Sequence, residues 1–214
     1  MSDKMVVSLE ELVNDLTPVR PMRGWHAAGI VAALTALAIA LTAWCFGIRS
    51  DVMNGAPAPI VLVRASVLVL LGAATLTAVI DSARPRVGRH SSGWGWVLAL
   101  ALLFPALTLA SALSSGTIPH AEMTAKSAIW CLGISLAAAL MIGFAMTLWL
   151  RRGAVTVVNR TAWLVGLSAG AFGTLAYSLH CPSSTIAYIG IWYSVAVGLS
   201  AIAGRLILPP LLRW

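Results

Sequence analysis

The chain has 214 residues, is 59% hydrophobic and only 10% charged, and has a mean hydropathy of +0.90. Soluble domains carry about 25% charged residues, so these figures exclude a water-soluble fold and require an integral membrane protein. The net charge of +7 is not read as a nucleic-acid footprint. The basic residues are scattered between apolar runs, where they set membrane orientation, and no direct nucleic-acid contact is expected.

The first 24 residues are polar and lack the apolar core of a cleavable signal peptide. Within them Val6, Leu9, Leu12, Val13 and Leu16 fall at helical spacing and predict an amphipathic helix over about 7–17. Ser8 and Glu11 fit a capping box, and Pro18 stops the helix. Glu10, Glu11 and Asp15 make its polar face acidic. Such a helix is too short to be stable alone in water. Amphipathic membrane helices usually carry a basic face, which leaves a protein groove or the bundle's own loops as the surface it covers. Beyond it Arg20, Pro21 and Arg23 form a stiff connector suited to the headgroup level.

A transmembrane helix needs about 20 apolar residues. Six such runs are present, at about 25–46, 60–80, 94–113, 127–150, 155–179 and 185–208. The fold class is therefore an all-α membrane protein, a six-transmembrane-helix bundle (25–208) between a cytoplasmic tail (1–24) and a short cytoplasmic C-terminus (209–214). Short turn-forming connections, such as Asn54-Gly55-Ala56-Pro57 and Pro182-Ser183-Ser184, make consecutive helices antiparallel neighbours. Eleven Lys and Arg residues fall on the side of the N-terminal tail, against Arg49, Arg64 and Lys126 on the other. The positive-inside rule then puts both termini in the cytoplasm. Trp25, Trp94, Trp96 and Trp214 fall at the span ends, as belt residues do.

Two features lie inside spans. Pro105 is expected to kink the third. Arg64 is expected to snorkel out of the second. An inward-facing charge paired within the bundle is the alternative, with Asp51 as the nearest acidic partner.

Cys45, Cys131 and Cys181 all fall near the outer face, which in a Gram-negative cell is the periplasm, where disulfides persist. Cys181 sits in a tight loop, His180-Cys181-Pro182, where access is expected to be easy. Cys131 lies one to two turns deep, and a loop dipping between helices could bring the two sulfurs together. On the residues alone, Cys131 and Cys181 are either a functional thiol pair or small buried hydrophobes, and Cys45 is read as the latter. His180 could modulate the Cys181 thiol or join it as a soft-metal ligand, and Cys131 and Cys181 are themselves candidate soft-metal ligands. No Cys-x-x-Cys, haem-type histidine pairing, intramembrane acid or phosphate loop is present, so neither an enzyme nor a resident cofactor is expected.

The segment Leu12-Val13-Asn14-Asp15-Leu16-Thr17-Pro18-Val19-Arg20-Pro21 resembles the NrsF-type membrane anti-sigma factors. So do the run Gly170 to Pro182, with its Leu-His-Cys-Pro ending, the pair Gly204-Arg205 and the closing Leu212-Arg213-Trp214. The resemblance implies a six-span inner-membrane protein that holds an extracytoplasmic-function (ECF) sigma factor. It implies that Cys131 and Cys181 sense the stress by oxidation or metal modification, heavy metals included. It makes the sigma factor the partner of the tail helix, through Leu9, Leu12, Val13, Asp15, Leu16, Pro18 and Arg20. Cys45 matches no cysteine of that family. The competing reading is a small transporter or channel without a sigma partner, with Arg64 lining an anion path.

Overall fold

A computed structural model describes residues 23–83, 94–115, 126–153, 155 and 157–212. Six long helices carry the fold: α1 (Gly24–Phe46), α3 (Pro59–Ser82), α4 (Trp94–Ser115), α5 (Lys126–Leu150), α6 (Val158–Ser178) and α7 (Ile186–Leu212). A single turn, α2 (Ser50–Met53), lies between the first two. No strand occurs among the described residues. The helix ends follow local chemistry. α1 stops at Gly47, whose φ of +79° favours glycine. α3 opens with Pro59 in its first turn, where the missing N–H is no loss. α7 continues to Leu212, past Pro209 and Pro210 and beyond the predicted end.

Among the described residues four helices (α1, α3, α5 and α7) are long and apolar enough to cross a membrane, and α4 carries a shorter apolar stretch, Gly95–Ala110. The chain is built as a helical membrane protein. Trp44, Trp96, Leu102, Leu140, Phe144 and Leu206 project from it exposed. A surface of that kind is stable against hydrocarbon and would aggregate in water.

α6 holds the centre, packed against α7, α5, α3 and α1. From Thr161 to Ser178 only Trp163, Leu167 and Phe172 escape full burial. Its sequence is correspondingly small and mixed rather than greasy, because a helix walled in by other helices needs close approach more than lipid solubility. A Cβ added at Gly166 would stand 2.5 Å from the Ser200 carbonyl oxygen of α7. One added at Gly173 would stand 2.5 Å from the Ser135 carbonyl oxygen of α5. Ser168 bonds across to the Gly72 carbonyl of α3 at 3.3 Å. α1 is peripheral and buries a single stripe of Gly24, Ala27, Val31, Thr35, Ala38 and Thr42.

The core divides along the bundle axis. One cluster, around Val79, Ile142, Leu150 and Val165, fills the end nearer the N-terminus. The other, around Leu68, Leu71, Cys131, Tyr177, Cys181 and Tyr193, fills the end where α1 and α6 finish and α3, α5 and α7 begin.

Candidate functional site

Both cysteines singled out in the sequence lie in that second cluster, fully buried and unbridged. Cys131 stands on the second turn of α5. Cys181 follows the end of α6, where its amide and that of His180 both donate to the Tyr177 carbonyl, at 3.1 and 3.0 Å. This turn folds the loop back into the bundle. Easy access to Cys181 is therefore corrected: the thiol has no exposed surface. Cys45 is also corrected, since it is exposed on the outside of α1 rather than buried. All three tyrosines of the chain, Tyr177, Tyr188 and Tyr193, share the cluster with the two thiols.

Arg64 overturns the snorkelling expectation. It stands on the second turn of α3 and is 1% exposed. Asp51 is not its partner. Its guanidinium donates instead to backbone: Nη1 to the Ser183 carbonyl at 3.0 Å, and Nη2 to the carbonyls of Ser178 and of Cys181, the latter at 3.2 Å. Ser178 is the last residue of α6, and the final carbonyls of a helix lack intrahelical donors and carry its negative dipole end. A cation there is capping a helix. Burying it costs several kcal/mol. Three hydrogen bonds to a charged donor return about 1.5–3 kcal/mol each and offset much of that cost without a carboxylate, although the buried Nε makes no hydrogen bond among the described residues.

Asp51 pairs with Arg49, Oδ1 to Nε at 2.9 Å and Oδ2 to Nη2 at 3.0 Å. The Val52 and Ala58 amides also donate to it, at 3.0 and 3.3 Å. The hydrogen bond from Arg49, with those from the two amides, holds the Asp51 carboxyl down at about 2. Arg49 is raised in turn, first by that same hydrogen bond. Oriented this way, Arg49 Nη1 reaches the carbonyls of Cys181 at 2.9 Å and Pro182 at 3.0 Å. The Cys181 carbonyl thus accepts from two arginines on different elements. His180 turns its Nδ1 to the Gly47 carbonyl, 2.9 Å away, and its ring lies against Phe46 and Tyr177.

Among the described residues no three His, Cys, Asp or Glu side chains stand together as a metal site. The tail residues Leu9, Leu12, Val13, Asp15, Leu16, Pro18 and Arg20 lie outside the described residues. The sequence does not directly mark the contacts of Arg49 to the 181–182 carbonyls or the placing of Tyr177 and Tyr193 in the thiol cluster. The restriction of every tyrosine to 177–193 was the available signal.

A helical membrane bundle with two buried thiols in one cluster at one end is the arrangement that comparison with known proteins places in a class of regulators. The family profile described as negative regulator of sigma F (NrsF) matches residues 12–214, and the chain belongs to that family. It is similar to the probable anti-sigma-F factor NrsF of Azospira oryzae, 29% identical over 198 residues, covering 89% of this chain and 86% of that protein. It is also similar to the anti-sigma-F factor NrsF of Caulobacter vibrioides, 30% identical over 178 residues and covering 78% of each. No solved structure matches the chain.

Proposed function

We propose that this chain is a six-span inner-membrane anti-sigma factor with both termini in the cytoplasm, and that it releases an ECF sigma factor when Cys131 and Cys181 are oxidised. The observation that carries the reading is the burial of both thiols in one cluster, within a family of negative regulators of sigma F. The eleven-to-three distribution of Lys and Arg supports the orientation. The thiol cluster then faces the periplasm, and the tail faces the sigma factor. The tail helix docks through Leu9, Leu12, Val13 and Leu16 in an apolar groove, and its acidic face complements a basic, DNA-binding partner.

Bridging moves two electrons and two protons from the two thiols to the oxidant and leaves one S–S bond. The Cα atoms must come within about 4.4–6.8 Å for that bond to form. Reversing a population from 1:99 to 99:1 needs about 5.5 kcal/mol. A two-electron couple yields about 1.4 kcal/mol per 30 mV, so an oxidant about 120 mV above the thiol pair suffices. A soft metal bound by the two sulfurs would act on the same loop. The anion-path reading loses its motive, because the terminal nitrogens of Arg64 are taken up by carbonyls.

The test is co-purification of the membrane-expressed protein with and without diamide. A small sigma factor recovered only from reduced membranes is the expected result. Recovery in both states would remove the disulfide as trigger, and recovery in neither would overturn the anti-sigma reading.

A further inference from the structure

We infer that Arg64, with the Arg49–Asp51 pair as an outer clasp, is the positioning device that seals the Cys181 thiol into the bundle against Cys131. The inference rests on the proposed role of the thiol pair. Cys181 is not buried by apolar packing alone, because it belongs to a seven-residue connection between α6 and α7. Loops normally run over a surface, since buried backbone carbonyls need donors. Here the carbonyls of Ser178, Cys181 and Ser183, and the exposed one of Pro182, all accept from two guanidinium groups. The donors come from the second turn of α3 and from the connection after α1, so the loop is tied to elements far away in sequence. The Cys181 carbonyl is the shared point, accepting from both. Its amide is fixed as well, by the Tyr177 carbonyl. The backbone on both sides of the residue is thereby held inside the bundle, and the side chain is buried in the cluster that contains Cys131.

The geometry makes a demand that simple space-filling does not. A methionine at 64 would occupy much of the arginine's volume, take the guanidinium from the Ser178 and Ser183 carbonyls, and leave the Cys181 carbonyl to Arg49 alone. A lysine would return the charge, yet a single ammonium lacks the planar fork that spans Ser178, Cys181 and Ser183 together.

The experiment uses the full chain in detergent or liposomes, with Cys45 and Cys131 changed to serine so that Cys181 is the sole thiol. Its alkylation by a maleimide is timed. The parent should react slowly, as a group reached only by local opening does. Arg64→Met should speed alkylation by about tenfold or more, the scale expected when buried acceptors lose their donors. Arg64→Lys should fall between the two, and Arg49→Gln should give a smaller acceleration. Parent-like protection in Arg64→Met protein would overturn the inference, for the side chain would then be filling space. Should that variant fail to assemble, Arg49→Gln carries the test alone, and unchanged alkylation there overturns the clasp. The rate is read with no sigma factor present. A tight parent and a loosened Arg64→Met would therefore stand even if no sigma factor were ever captured, which separates failure of this inference from failure of the proposed function.

Discussion

Gly173→Ala places the bundle's central contact under direct test. The added Cβ would lie 2.5 Å from the Ser135 carbonyl oxygen, 2.7 Å from the Ala139 nitrogen and 3.1 Å from the Ala139 Cα. All three are backbone atoms of α5, so no side-chain rotation relieves the contact. Carbon atoms in ordinary contact lie about 3.5–4.0 Å apart, so α5 must retreat by about 1 Å. Overpacking of this kind costs about 1–3 kcal/mol. Alanine also gains up to about 1 kcal/mol over glycine in helix propensity, which would mask part of the loss. Gly133→Ala on α5 removes that ambiguity, because a Cβ there meets nothing within 4 Å. The propensity gain is common to both variants, and their difference isolates the overpacking as about 1–3 kcal/mol, roughly 5- to 150-fold in the folding equilibrium. The assay is reversible denaturant titration of the two purified proteins in one detergent. Ser135 lies one helical turn beyond Cys131, so retreat of α5 should also slow diamide bridging of Cys131 to Cys181. Equal midpoints and equal bridging rates would refute the claim that α5 and α6 are held at backbone contact.

Leu12→Asp combined with Leu16→Asp should abolish sigma capture in a pull-down while membrane insertion stays normal; undiminished capture would sink the tail assignment. Cys131→Ser and Cys181→Ser, singly, should each leave capture intact and make it insensitive to diamide. The Asp51 carboxyl, depressed to about 2 from an ordinary 3.8, contributes stability that is fully present above about pH 5. That contribution is lost as pH falls through about 4 to 2. Stability curves of the parent and Asp51→Asn should therefore run parallel from pH 5 to 9 and converge below pH 4; a gap that opens or closes near neutrality would disprove the assignment.

The helix positions were legible because apolar runs of about 20 residues leave few alternatives, and α1, α4 and α5 begin or end within one or two residues of expectation. That Cys131 and Cys181 fall at the same end of the bundle, in one buried cluster, was legible from the order of the helices. Arg64 was not. The partner that sequence can show for a buried cation is an acid, whereas the partners here are carbonyls of Ser178, Cys181 and Ser183, and a carbonyl leaves no mark on sequence. The burial of Cys181 was missed for the same reason. His180-Cys181-Pro182 has the composition of a surface turn, and the arginines that draw it inward lie over a hundred residues earlier. Cys45 was misjudged because lipid-facing and core-facing positions are equally apolar in a spanning helix. Hydropathy cannot tell them apart; only the stripe of small residues on α1 does.

The small-residue surface of α6 has a consequence for how the protein is made. Under the proposed topology this helix must enter the bilayer, yet it is not among the four helices apolar enough to do so on their own. Its buried Thr161, Ser168, Thr174 and Ser178 hydroxyls favour helical neighbours over hydrocarbon. α7, which covers the Gly166 side, emerges from the ribosome only afterwards. The earlier helices would therefore wait in the membrane as an open cradle. The innermost helix would arrive fifth, and the last helix would close over it. Biogenesis would run from the periphery inward, with the thiol site completed only in the final step.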